Sequence, residues 1–302
     1  MQQLTNCPVC NSKNIRFRNK AGTSDAPKEP LKWSLFGCDD CGLGFLNPQP
    51  TWEELIPYYP PDYLCYNTRV EDEERVVEEA KRRGEYRHIP IPVGKRLLDV
   101  GCGGGSFLQV FKKLGVEVKG VEPGESAAAA ARDCGIDVFT GTLEEYIAQN
   151  GTEEKFDVIT CSHVLMATPS PAGTLNCMRQ LLKPNGYIWV AVPNADCESA
   201  RLLGWRWHST YFPRNIIQFT SKTLGKAGEV AGLQIRRHST YSVPEAVAFS
   251  LCLRWRHRWF IPQKISSRLL SKNYLKRVAQ ELDSRDEGEA ILMEFCHPPS
   301  LD

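Results

Sequence analysis

"LLDVGCGGGSFL", Leu97 to Leu108, decides the fold. An apolar run reads as a buried strand, four glycines follow between 101 and 105, and a helical pattern begins at Ser106. A glycine-rich strand–turn–helix lets a ligand lie against bare backbone at the carboxyl end of a parallel sheet. The neighbouring residues select the ligand. A phosphate loop of the Walker type needs a Gly-Lys-Ser/Thr ending, which is absent. A dinucleotide fingerprint places its third glycine at position 106, where this chain has Ser106. Asp99 stands at the strand end, where its charge repels a pyrophosphate and attracts a positive centre. Glu122 ends the next strand, placed to accept hydrogen bonds from both hydroxyls of a ribose. A ribose joined to a cationic amino-acid tail describes S-adenosylmethionine.

Downstream the pattern keeps alternating. "VEVKGVEP" reads as a strand and "SAAAAARDCG" as a helix; "IDVFTG" is a short strand. "FDVITCSHVL" is a strand, "PAGTLNCMRQLLKPNG" a helix closed by a proline–glycine turn, and "YIWVAVPN" another strand. Then come the helix "SKTLGKAGEVAG", the strand "LQIRRHS" and a last strand, "EAILMEFC". Such alternation predicts a parallel sheet with helices on both faces.

The chain has 12 cysteines, and four of them form two tight pairs, Cys7/Cys10 and Cys38/Cys41. Two C-x-x-C turns can enclose one tetrahedral ion with four thiolates, a closed site that fits structural zinc. The single cysteines read as small core residues in a reducing cytosol. Between the pairs, "NIRFRNK" and "LKWSLFGC" read as two strands around a flexible turn. Thr51 and Glu54 form a capping box for a short helix in the proline- and tyrosine-rich connector that follows. The charged stretch from Asn67 to Arg87 reads as a solvated helix.

"LLDVGCGGGSFL", "GVEP", "FDVITCSHVL", "LLKPNGYIWVAVPN" and "GWRWHSTYFPRNIIQFTSKTL" together resemble the class I S-adenosylmethionine-dependent methyltransferases. The branch they resemble carries an N-terminal zinc ribbon and a "GLGFLNPQPT"-like stretch. The resemblance implies an α/β, Rossmann-like sheet of seven strands whose last strand inserts antiparallel. It implies that Asp99, Gly101, Cys102 and Gly103 shape the methionine side, with Glu122 and Pro123 at the ribose. Thr142 and Leu143 flank the adenine; Cys161, Ser162 and His163 face donor and acceptor.

This chain departs from the branch in two loops near the expected acceptor. Met166 and Ala167 replace a carboxylate and an imidazole, Asn215 replaces a histidine, and Gln218 stands where a further one is expected. Methyl transfer is an in-line displacement, so alignment supplies much of its acceleration. His163 or His208 is then the base. Trp205, Trp207, Tyr211 and Phe212 can wall the acceptor pocket.

From 251 to 277 arginines and lysines interleave with Trp255, Trp259 and Phe260. On a helix this stretch can rest on an anionic membrane surface or grip a phosphate group. The net charge of +1 provides no global pull toward nucleic acid. No apolar run approaches bilayer length and the N-terminus lacks a signal-peptide pattern, so a cytoplasmic protein, at most peripheral to a membrane, is expected. The expected organisation is a zinc ribbon over 1–50, a linker and helical segment over 51–92, a cofactor-binding core over 93–240 and a basic–aromatic helical segment with the final strand over 241–302. The expected activity is methyl transfer to oxygen or carbon of a small molecule, sugar or lipid-linked glycan precursor. A catalytically silent cofactor-binding protein with a regulatory or scaffolding role is the alternative, and RNA methylation stands third.

Overall fold

The N-terminus folds as three antiparallel strands, β1 (Ile15–Ala21), β2 (Trp33–Cys38) and β3 (Gly44–Leu46). This computed structural model describes residues 1–23, 31–60, 63, 66, 70–259 and 271–299, without the side chains of 249 and 253–259. The two cysteine turns flank β1 and β2. Each C-x-x-C is followed by a residue in the left-handed region, Asn11 (φ 57°) and Gly42 (φ 88°), which folds the chain back.

Thr51 caps α1 (Trp52–Leu55) with the expected reciprocal bonds to Glu54. The charged segment forms α2 (Glu73–Arg83), whose Val77 and Ala80 are its buried face. A small hairpin follows, β4 (Glu85–Tyr86) and β5 (Ile89–Pro90), turned by Arg87 and His88. The sequence reading did not contain it, because the turn has none of the Asn or Gly that two-residue hairpins favour.

From β6 (Arg96–Val100) onward strands and helices alternate: α3 (Ser106–Lys113), β7 (Glu117–Glu122), α4 (Glu125–Asp133), β8 (Asp137–Thr140) and α5 (Leu143–Asn150). Next come β9 (Phe156–Ser162), α6 (Pro171–Leu181), β10 (Leu182–Pro193), α7 (Glu198–Leu203) and β11 (Ile217–Gln218). The chain closes with α8 (Ser221–Val230), β12 (Gln234–Tyr241), α9 (Pro244–Trp259), α10 (Lys272–Ser284) and β13 (Ala290–Cys296). The seven-strand sheet has the order β12-β13-β10-β9-β6-β7-β8. β13 lies antiparallel between β10 and β12, as expected. β10 starts earlier than expected: Leu182 pairs with Phe156 before the Lys-Pro-Asn-Gly stretch bulges out, and pairing resumes at Tyr187. The topological switch falls between β6 and β9, which run parallel side by side.

β11 leaves the large sheet and pairs with β3, so the ribbon's sheet is completed by a strand from residues 217–218. One continuous apolar core runs from Cys7, Trp33 and Phe45 to Leu98, Val190 and Phe295. The arginine- and tryptophan-rich surface expected over 251–277 falls mostly on side chains outside the described residues; of it only Leu251, Cys252 and 271–277 are described. No helix among the described residues is long and apolar enough to cross a membrane.

α8 packs so tightly on β13 that a Cβ at Gly228 would overlap the Phe295 ring. Alanine for glycine inside a helix ordinarily gains up to about 1 kcal/mol. Here overpacking reverses the sign, since Phe295 is fully buried and has nowhere to turn. Gly228→Ala is expected to lower stability by about 1–3 kcal/mol in urea titrations.

Candidate functional site

The glycine turn sits at the switch point and is held from the side. Glu122, at the end of β7, is 6% exposed. Its Oε2 accepts from the Gly103 N–H at 2.9 Å and its Oε1 from the Gly124 N–H at 2.8 Å. Each oxygen keeps a further lone pair for an incoming hydroxyl. Burial pushes the carboxyl up from its ordinary range, and the two N–H donors oppose that. Gly101 and Gly103 adopt φ of 74° and 54°, and a side chain at 101 would collide with Val164 in the loop after β9. The backbone there is bare because both conformation and space require glycine.

Asp99 is 5% exposed at the end of β6. Its Oδ1 accepts a 2.6 Å bond from the Thr160 hydroxyl on β9, across the switch. Burial pushes this carboxyl up to about 7; the Thr160 bond and the positive field of Arg87 pull it back, and the Glu122 charge adds slightly to the rise. Thr160 is itself fully buried and was missed by the sequence reading, since a threonine inside a strand carries no motif signal.

The other expected cofactor residues divide by placement. Cys102 points inward against Gly120 of β7, and burial raises its thiol. Cys161 is fully buried in the main core, with its thiol likewise raised. Both residues are buried. Pro123 is half-buried between Glu122 and Gly124. Thr142 caps α5, its hydroxyl accepting from the Glu145 N–H at 3.2 Å, while Leu143 is buried beside it. Ser162 and His163 emerge into solvent at the carboxyl end of β9. His163 has φ 55° and donates its N–H to Ala191 at 2.8 Å. Its ring is reachable by water yet crowded by protein. That desolvation, helped by the Arg87 charge, holds the imidazole below its ordinary pKa.

The aromatic residues around His208 do not form one wall. Trp205 lies over Gly22 of the ribbon, Trp207 packs with Cys197 and Ala200, and Phe212 joins the main core. His208 stands beside Trp207, ring centroids 5.6 Å apart. Burial lowers its pKa and the Glu289 charge raises it. Asn215, the substituted position, is buried and braces its own loop: its Nδ2 donates to Ser209 at 3.0 Å. Met166 is buried on a short turn of 3₁₀-helix, Leu165–Ala167. Arg214 donates to the Tyr58 carbonyl at 2.9 Å and lies between the rings of Tyr63 and Tyr211. Tyr66 lies beside Glu122 and Gly124.

In the N-terminal ribbon, the sulfurs of Cys7, Cys10, Cys38 and Cys41 all lie within 4.8 Å of one another. Two of the separations are 3.6 Å. A tetrahedral ion with Zn–S bonds of about 2.3 Å requires sulfurs roughly 3.8 Å apart. The backbone N–H groups of Val9 and Cys10 point at Cys7, and those of Asp40 and Cys41 at Cys38. These donors favour thiolates, so the set fits a divalent metal.

Sheet order and the bare glycine turn at the switch point define an α/β, Rossmann-like fold of the methyltransferase type. A family model described as a methyltransferase domain matches residues 71–238, over half of the chain. The chain belongs to this methyltransferase-domain family. The ubiquinone biosynthesis O-methyltransferase of Pasteurella multocida (strain Pm70) is 40% identical over 123 residues, covering 36% of this chain and 51% of that protein. Its counterpart in Pseudomonas entomophila (strain L48) is 29% identical over 153 residues, covering 47% and 66%. The chain thus spans about half the length of the first curated relative and under two thirds of the second. The crystal structure of the cyclase SpnF superposes with a TM-score of 0.51 at 18% identity, over 83% of this chain and 98% of that one. At that identity the likeness concerns the fold.

Asp99 generates a test with a defined sign. Its folded-state pKa of about 7 lies above the ordinary 3.8, so folding favours the protonated form. Stability therefore falls as pH climbs from 3.8 to about 7 and levels off above. Asp99→Asn removes the buried charge. It is expected to stabilise the ligand-free protein at pH 8 by roughly 2 kcal/mol, and by clearly less at pH 5. Urea titrations at the two pH values read this difference.

Proposed function

We propose that this protein binds S-adenosylmethionine in the β6–β7 cleft and transfers its methyl group to an oxygen or carbon nucleophile of a small molecule. The observation that carries the reading is Glu122. A buried carboxylate that already accepts one N–H on each oxygen, beside a glycine turn with no side chains, suits the two hydroxyls of a ribose. Asp99 suits the ammonium of the amino-acid tail, and binding there draws its carboxyl toward the charged form. Thr142 and Leu143, at the start of α5, are assigned to the adenine edge, and Pro123 to the ribose edge. Cys102 and Cys161 are assigned to backbone and packing, since both are buried among apolar residues.

When bound, the cofactor supplies a methyl group made electrophilic by its sulfonium. The chain's own part is to bury, align and accept a proton. His163 is assigned as the nearest base at the end of β9. Its lowered pKa leaves the imidazole neutral at neutral pH, the form that accepts a proton. His208 is the second candidate, also held neutral by burial. Met166 and Asn215 are engaged in packing and loop bracing, so no proton transfer is assigned to either.

The curated relatives act in ubiquinone biosynthesis as O-methyltransferases. That favours oxygen as the accepting atom here, with sugar and glycan acceptors in the same small-molecule class. The four-cysteine cluster is assigned a structural zinc, and residues 1–50 a supporting rather than a reacting role, because four thiolates leave no open coordination position. The core is then formed by 93–240 with the final strand, and 51–92 is the connector.

Calorimetry with S-adenosylmethionine and S-adenosylhomocysteine tests the cofactor site; absence of binding by both removes the reading. With binding in hand, labelled methyl donor incubated with fractionated small-molecule extract is expected to label a product in a His163-dependent way. Binding without any labelled product would favour a silent cofactor-binding protein, a reading that the buried Met166 and Asn215 keep in view. Purified chain is expected to hold one zinc by elemental analysis. Cys38→Ser is expected to lose the metal and to lower the unfolding temperature.

A further inference from the structure

At the β12 edge of the large sheet a serine, a histidine and an aspartate converge, and methyl transfer uses none of them. β12 stands four strand steps from β6, which at roughly 4.8 Å per step is about 19 Å from the glycine turn's strand. His238 lies on β12, and its ring is met from both ends. Its Nε2 is 2.9 Å from the Ser221 hydroxyl oxygen, and its Nδ1 is 3.9 Å from an Asp286 carboxylate oxygen. Ser221 is the first residue of α8, and Asp286 follows α10 in the left-handed region, at φ 57°. Three separate elements thus bring their side chains to one imidazole.

The order of these contacts is the one that acyl transfer requires. A serine hydroxyl is a weak nucleophile until a base takes its proton, and a carboxylate on the far nitrogen fixes the base in the right tautomer. With Nδ1–H directed at Asp286, Nε2 turns its lone pair to Ser221. The longer Asp286 separation is of the kind that tightens when substrate binds. The helix supplies the remaining requirement. Four N–H groups at a helix start have no intrahelical acceptor. In α8 the capping box takes two: Thr220 N–H donates to Thr223 Oγ1 at 2.8 Å, and Thr223 N–H donates to Thr220 Oγ1 at 3.2 Å. The other two, on Ser221 and Lys222, stand at the positive end of the helix dipole, where a developing oxyanion is stabilised. Ser221 also borders open space. A groove of about 630 Å³ runs beside it, lined by Lys222, Gly225, Leu233, Ile235 and the second cysteine turn. Its size suits a small molecule, and Leu233 and Ile235 give it apolar contact.

We propose that Ser221, His238 and Asp286 form a second active site that hydrolyses carboxylic esters with a small apolar acyl group. It stands apart from the methyl-transfer reading and does not depend on it. Ser221 Oγ bonds to the ester carbonyl carbon as its proton passes to His238 Nε2 and the carbonyl electron pair moves onto oxygen. The ester C–O bond then breaks, and the alcohol leaves with the proton from His238. Water attacks the acyl carbon next. His238 takes one water proton, the acyl–Oγ bond breaks, and Ser221 regains a hydrogen. The sum is ester plus water giving acid plus alcohol, with no change of oxidation state. Ser221 and His238 carry the reaction, and Asp286 is the positioning residue.

The test uses the full chain. A fluorophosphonate probe phosphonylates activated serines with loss of fluoride, and peptide mass mapping locates the adduct. One adduct, on Ser221, is expected. With p-nitrophenyl butyrate, release of p-nitrophenolate above the buffer rate is expected. Ser221→Ala is expected to abolish both signals, and His238→Gln to slow turnover by about 100-fold or more. Asp286→Asn is expected to lower kcat and leave KM in place, a split that a merely structural role would not produce. Unchanged unfolding temperatures show that the fold is kept. A wild-type chain without an adduct on Ser221, hydrolysis that survives Ser221→Ala, or an adduct without any turnover of the butyrate ester would overturn the proposal. If Ser221→Ala fails to fold, mapping and turnover of the wild type decide alone: an adduct only elsewhere, or none, refutes the site.

Discussion

A single carboxylate holds the glycine turn in shape. Glu122 sits one strand away from the turn yet accepts the Gly103 N–H directly, and its other oxygen takes the Gly124 N–H at the start of the next turn. Hydrogen bonds to a charged acceptor contribute about 1.5–3 kcal/mol each when buried. Two loops that carry almost no side chains are thereby tied to one point at the end of β7. Gly101 and Cys102 add to this by donating to the Val121 carbonyl at 2.7 and 3.2 Å. The bare backbone is rigid because the strand beside it is rigid. That rigidity lets glycines, the residues with most to lose on ordering, form a shaped surface.

The rest of the fold can be read as support for this edge. β13 returns antiparallel between β10 and β12 and contributes the fully buried Phe295 against α8. The ribbon is not an appendage in packing terms. Its Phe45 and Trp33 share one apolar core with the sheet, and β11 is lent from the region after the aromatic loop to finish the ribbon's own sheet. Trp205 over Gly22 fastens that loop to the ribbon from the other side. A metal that fixes the two cysteine turns therefore also fixes the loop carrying His208 and Asn215. The four-cysteine cluster is thus tied to that loop through packing.

Much of this was legible in the sequence, for definite reasons. The strand–turn–helix at 97–108 has a pattern that few other structures need, and the acids Asp99 and Glu122 lie at strand ends that alternation alone locates. The two C-x-x-C turns fix their own geometry over four residues. The antiparallel final strand followed from the family likeness, and its register follows from its buried face. What escaped was of a different kind. Thr160 meets Asp99 only because β9 crosses to the far side of β6, a long-range fact with no local signature. The β4–β5 hairpin escaped because Arg87 and His88 occupy a conformation their side chains disfavour. The aromatic wall expected around His208 dissolved because aromatic residues follow whichever apolar surface is near: Trp205 and Phe212 pack on the main core, and Trp207 on a separate small cluster.

The misreadings and the site share a cause. Local propensity fails where something nonlocal overrides it, and such places concentrate where a structure must hold a shape against its own preferences. Asp99 is buried although burial disfavours its charge, and Arg87 is exposed in a strained turn although solvent offers it easier conformations. Each is unfavourable alone. An apolar residue in place of Asp99 or an Asn-Gly turn in place of Arg87–His88 would give a better-behaved fold. Such features persist only where the surrounding structure over-determines them. Here the Thr160 hydroxyl holds the Asp99 carboxyl at 2.6 Å from the neighbouring strand, and the fully buried Ile89 anchors the turn.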